Sequence, residues 1–140
     1  MPLSTPITGG CACGAIRYEC TEGPMEMFCC HCRECQRASG GAYSPAMLFP
    51  VTAFKITQGT PKYHDRPSEA GGQHTRGFCP DCGSRLFGAV NPTFPFIGVV
   101  ASSLDDPSIF KPAYHIFTAD AQPWDIMDAA LPKHEGYAPM

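Results

Sequence analysis

Apolar and polar positions alternate in short bursts along this chain, each cut off by glycine or proline within a few residues. The first clear burst covers residues 16–20, Ile-Arg-Tyr-Glu-Cys, and a second covers 25–29. Period-two alternation puts every other side chain on one face, so both segments read as short strands with one buried side. Further bursts at 46–49, 54–58, 62–64, 76–79, 85–89 and 96–101 extend the series, with Pro50, Gly59 and Pro61 separating the early ones. Two stretches look helical instead. One is 33–39, stopped by Gly40-Gly41, and the other is 124–130, between Pro123 and Pro132. Residues 68–74 read as a flexible loop. With no repeat and no linker, the pattern predicts one mainly β domain over residues 1–140, built of short strands with one or two helical turns.

Composition agrees with that picture. Gly 14 and Pro 15 are high for a helical bundle but natural for a turn-rich β protein, and 44% hydrophobic residues suffice for a modest core. A net charge of −3, with ten Lys+Arg, argues against nucleic acid or acidic lipid as a partner, since both need a basic footprint. The longest apolar run, residues 94–101, is interrupted and far too short to cross a bilayer. The opening segment lacks the basic and apolar regions of a secretory signal, so the expected location is the cytoplasm. There thiols stay reduced, and clustered cysteines read as metal ligands rather than disulfides. Short β edges are compatible with a homodimer.

The cysteines carry the chemistry. Seven of nine fall into three clusters: Cys11-x-Cys13, Cys30-x-Cys32-x-x-Cys35 and Cys79-x-x-Cys82. Cys79-Pro80-Asp81-Cys82-Gly83 is a zinc knuckle that supplies two ligands and needs two more. Cys11-Ala12-Cys13-Gly14, with the same Cys-Gly ending, is the natural donor of the other pair, so this metal ties the amino-terminal region to the second half of the chain. The middle cluster offers three sulfurs from a loop and the first turn of a helix. Adjacent residues seldom bind one metal together, so Cys29 and Cys30 compete, with Cys30 favoured; His31 is a candidate fourth ligand. A second structural site is the alternative reading. Three thiolates around Zn²⁺ leave a net charge of −1, which makes the metal a weaker acidifier of water than a three-histidine site. A soft thiol suits such a site better, because coordination strips its proton. The residues thus point to activation of a small thiol for attack on a carbon electrophile.

Three stretches carry a resemblance: 9–18 around Cys11-Ala12-Cys13-Gly14, 28–40 around Cys30-His31-Cys32 and Cys35, and 78–86 around Cys79-Pro80-Asp81-Cys82-Gly83. Together with Leu104-Asp105-Asp106-Pro107 and the tail from His115 to Trp124, they make the chain similar to the glutathione-dependent formaldehyde-activating enzyme (centromere protein V/GFA) family. The resemblance implies a β-tent of short antiparallel sheets and two Zn²⁺ ions per chain. It implies a structural zinc on Cys11, Cys13, Cys79 and Cys82, and a catalytic one on Cys30, Cys32 and Cys35. The implied reaction is that of a carbon–sulfur lyase-type enzyme joining glutathione and formaldehyde, the alternative being a non-catalytic interaction module. Ser102-Ser103 and the extra Cys29 depart from the family pattern.

Several residues invite a functional reading but have a plainer one. Arg33, Arg37 and Arg85 could meet glutathione carboxylates, but read as solvated arginines. Asp105-Asp106-Pro107 resembles an acid–base pair, but reads as a turn closing a strand. His115 reads as a satisfied core histidine, Trp124 as a packed anchor for the tail, and Cys20 as a small core hydrophobe.

Overall fold

The computed structural model describes residues 3–139. Ten short strands and one α-helix form two sheets, mostly antiparallel. The smaller sheet contains β1 (Ile7–Gly10), β2 (Arg17–Cys20) and β5 (Phe54–Gln58), in the order β1-β2-β5. The larger sheet adds β3 (Glu26–Cys30), β4 (Ser44–Pro50), β6 (Lys62–Pro67), β7 (Gln73–Phe78), β8 (Arg85–Asn91), β9 (Phe96–Val100) and β10 (Tyr114–Ile116). Its order is β10-β3-β4-β9-β8-β7-β6, and only β10 against β3 runs parallel. Among the described residues no helix is long and apolar enough to cross a membrane.

The main core lies where the two sheets meet. Tyr18 and Cys20 from the small sheet, with Ile16 just before β2, pack with Met47, Phe49, Leu86 and Val99 from the large one. Their one-sided alternation is what the sequence pattern carries, and Cys20 is fully buried there, its thiol pushed up to about 12 by desolvation. Gly77 has a steric reason: a Cβ there would stand 2.4 Å from the Phe87 ring. A second, smaller cluster of Phe28, Cys30, Cys35, Ile116 and Phe117 lies around the helix.

The helix α1 (Arg33–Ser39) has the expected bounds. Cys32 caps its start by accepting from the Cys35 amide at 3.2 Å, and Gly40, at φ 72, closes it in a conformation that glycine adopts without strain.

The second expected helix does not form. Residues 124–130 are turns, with Asp125 N donating to Gln122 O and Asp128 Oδ1 accepting from Ala130 N. Trp124 and Ile126 are 65% and 95% exposed, so no apolar stripe exists to pay for nucleating a short helix. Trp124 is therefore not a packed anchor. Residues 68–72, expected as part of a longer loop, make a tight hairpin turn, and His74 already belongs to β7. Strands β1 and β10 carry too few alternating positions to be read from sequence.

Candidate metal centres and the adjoining cavity

Two turns of nearly the same shape build the first cysteine group. Cys11 precedes a turn in which Gly14 N donates to Cys11 O at 3.2 Å, and Cys79 precedes one in which Gly83 N donates to Cys79 O at 2.9 Å. Both turns leave through a left-handed glycine, Gly14 at φ 80 and Gly83 at φ 77, a backbone that a side chain would strain. Ser84 Oγ accepts from Ala12 N at 2.9 Å and joins the two turns. Backbone amides also point at sulfur: Ile16 N donates to Cys11 Sγ at 3.2 Å and Asp81 N to Cys79 Sγ at 3.4 Å.

The donor set fits a metal ion. The four sulfurs of Cys11, Cys13, Cys79 and Cys82 lie within 4.8 Å of one another, with Cys11–Cys13 at 3.6 Å and Cys13–Cys79 at 3.8 Å. Sulfurs arranged tetrahedrally at about 2.3 Å from one zinc stand roughly 3.8 Å apart. The group could hold such an ion with little movement.

The second group gathers Cys30 from the end of β3, Cys32 from the helix cap and Cys35 from the first turn of α1, again within 4.8 Å. The Cys35 thiol is held far below its ordinary range by hydrogen bonds from Cys30 and Cys32, with Arg76 adding to the effect. Cys30 is pushed up by the same sharing. Among the described residues no fourth histidine, cysteine or carboxylate joins the trio.

Cys29 and His31 turn away from it. Alternation along β3 sends Cys29 to the opposite face, beside Tyr43, where desolvation pushes its thiol up to about 12. His31 is fully buried, with Nε2 2.8 Å from His115 Nδ1 and Nδ1 2.8 Å from Asp125 Oδ2. One ring nitrogen thus meets His115 and the other lies against the Asp125 carboxylate, so neither faces the trio, and His115 is a buried neighbour of His31 rather than a ligand.

In front of the cluster lies a cavity of about 410 Å³. The three cysteines line it with His74, Arg76 and Arg85; Phe94, Phe96, Phe117 and Tyr137 supply aromatic surface, and the carboxylate residues Glu34, Glu69 and Asp120 also belong to its wall. Arg76, with a side chain only 7% exposed, donates to Glu34 at 3.4 Å and reaches Cys35 Sγ at 3.7 Å. Arg85 is not a solvated arginine: burial lowers its pKa, while the cysteine trio works in the opposite direction. A register shift at Gly77/Phe78 re-aims β7 beside this site, as bulges commonly do. Arg33 and Arg37 are exposed, as expected.

Desolvation, followed by the positive charge of Arg76, lowers His74 to about 4. The unfolded chain therefore takes up a proton near pH 6.5 that the folded chain refuses until about 4. Wild type should accordingly lose stability, relative to a His74→Gln variant, as pH falls across that window, by at most about 3 kcal/mol. Urea midpoints of both proteins at the two ends of the window check this, and parallel losses would refute it.

Residues 6–120 match the family described as glutathione-dependent formaldehyde-activating enzyme. The chain belongs to that family. Curated proteins carrying the family's name include one from Penicillium rubens, 31% identical over 104 residues, covering 68% of this chain and 53% of the relative. Another, from Phaeosphaeria nodorum, is 32% identical over 91 residues, covering 64% of this chain and 47% of the relative. The chain thus spans about half the length of the curated relatives it matches. A Rhodobacter sphaeroides protein solved by structural genomics has the same fold, with a TM-score of 0.60 at 18% identity over 91% of this chain and 99% of that one.

Within this glutathione-dependent formaldehyde-activating family member, Asp105 and Asp106 stand apart from the cavity. Asp105 pairs with Arg17 and accepts from Thr8 at 2.6 Å, which holds its carboxyl at about 2. Asp106 Oδ1 accepts from Ser108 N at 3.1 Å and closes a turn. Sequence reasoning passed over Arg76, His74 and Tyr137. An arginine alternating with His74 in a strand that ends just before Cys79 was the available signal for the first two.

Proposed function

We propose that this protein is a zinc-dependent enzyme of the carbon–sulfur lyase class, a single domain that joins a small thiol such as glutathione to formaldehyde or a related aldehyde, or cleaves the adduct. The reading assigns a structural zinc to Cys11, Cys13, Cys79 and Cys82, and a catalytic zinc to Cys30, Cys32 and Cys35. One observation carries it: three cysteine sulfurs converge at the wall of a cavity, with no fourth histidine, cysteine or carboxylate joining them among the described residues. Family membership supports the same choice.

When bound by the trio, zinc would make a coordinating thiol acidic enough to lose its proton at neutral pH. The chain's own residues do the rest. The Cys35 amide donates to Cys32 Sγ and Arg76 donates to Cys35 Sγ, which orients both sulfurs and damps their charge. In the reaction one S–C bond forms, the carbonyl π pair moves to oxygen, and the proton given up by the thiol ends on that oxygen.

Cobalt-substituted protein tests the reading. Adding glutathione should change the visible spectrum of the second site alone, and zinc-loaded protein should speed appearance of the hydroxymethyl thioether from glutathione and formaldehyde. An unchanged spectrum together with an unchanged rate would leave the non-catalytic module in its place.

A further inference from the structure

Two arginines, Arg76 and Arg85, line the cavity beside the cysteine trio. Glu34 is already paired with the exposed Arg66 at 2.6 Å, so it does not need Arg76 as its sole counter-ion. Arg76 donates to Glu34 at 3.4 Å, and Arg85 donates to Ser44 Oγ at 3.4 Å. The Nε atoms of Arg76 and Arg85 are also buried and have no hydrogen-bond partner. A buried donor left unpaired is costly, and two on residues lining one cavity point to an acceptor that arrives with the substrate.

We propose that Arg76 and Arg85 form an anion subsite that takes a carboxylate of the substrate beside the three cysteines. This deepens the thiol–aldehyde reading and rests on it. A carboxylate's two oxygens match the forked donors of a guanidinium, whereas a single thiolate sulfur does not. Formaldehyde has no such group. The carboxylate therefore comes either from the thiol, as in glutathione, or from the aldehyde, as in an oxo acid of the glyoxylate class. Geometry favours the aldehyde. Arg76 Nη2 stands 3.7 Å from Cys35 Sγ, so the anion it would hold lies close to the cysteine trio at which the thiol would coordinate. An oxo acid carries its carboxylate on the reacting carbon, while the carboxylates of glutathione sit at the ends of peptide arms. With glyoxylate the balance is unchanged: one S–C bond forms, the carbonyl pair goes to oxygen with the thiol's proton, and the carboxylate is a spectator.

Calorimetric titration of the zinc-loaded protein tests this with two charged probes, glyoxylate and the unreactive S-methylglutathione, and their uncharged counterparts, glycolaldehyde and S-methylglutathione dimethyl ester. Wild type should bind at least one charged probe about tenfold or more tightly than its counterpart. Arg85→Met, checked for unchanged zinc content and melting temperature, should lose that preference, and Arg85→Lys should restore part of it. A loss confined to glyoxylate assigns the carboxylate to the aldehyde; a loss confined to S-methylglutathione assigns it to the thiol. Equal binding of charged and uncharged probes by wild type, a comparison that needs no variant, would overturn the subsite. So would a folded Arg85→Met that keeps the preference. Because neither binding measurement requires turnover, failure of the thiol–aldehyde reaction itself would appear separately, as absence of adduct in the zinc-loaded wild type.

Discussion

Replacing Cys79 with serine is expected to unfold the protein or lower its melting temperature by roughly 15 °C or more. Cys79 is fully buried at the junction of two knuckles whose halves lie 66 residues apart at the Cys13–Cys79 contact. No disulfide or helix bundle stands in for this tie: all nine cysteines are free and the helix has seven residues. Structural zinc sites contribute about 10–16 kcal/mol of apparent binding energy in small domains, against a total stability of about 5–15 kcal/mol for a typical one. Losing several kcal/mol at 2–4 °C per kcal/mol gives the expected shift. Metal analysis should show about one zinc fewer per chain, and a chelator should reproduce the effect in wild type. A Cys79→Ser protein that melts within a few degrees of wild type, at unchanged metal content, would remove the staple from this account.

Cys32→Ser should do the reverse: abolish chemistry while leaving the fold. Cys32 is half-buried, and its structural task is to cap α1 by accepting from the Cys35 amide. Serine is among the best residues for that task, so with the second site metal-free in both proteins melting should differ by no more than about 5 °C. A hydroxyl is a poor ligand for a thiophilic metal, and with one sulfur gone the trio should no longer hold it. Adduct formation from glutathione and aldehyde should fall about a thousandfold, equivalent to about 4 kcal/mol of barrier. Proton NMR of the hydroxymethyl thioether reads the rate, and full activity in a folded Cys32→Ser would take the cluster out of catalysis.

Both expectations start from residues that could be named from the sequence. Cys11-x-Cys13 and Cys79-x-x-Cys82 are legible because a knuckle is a local object: turn geometry and the exit glycine lie within five residues. The helix over Arg33–Ser39 is legible for the same reason, since its cap and stop are both local. The helix expected over 124–130 failed because what it would pack against cannot be read locally. That segment instead delivers Asp125 to His31, 2.8 Å away and far off in sequence.

Strand period, turn chemistry and ligand spacing are short-range properties, so the mainly β character, the alternating core positions and the sorting of seven cysteines into groups can be read along the chain. Packing between distant segments turned Cys29 and His31 away from the trio. It also decided that Arg85 is drawn in from solvent and that Arg76 lies against Cys35. Those outcomes depend on strand register and on which sheet covers which, long-range pairings that no window of neighbouring residues encodes.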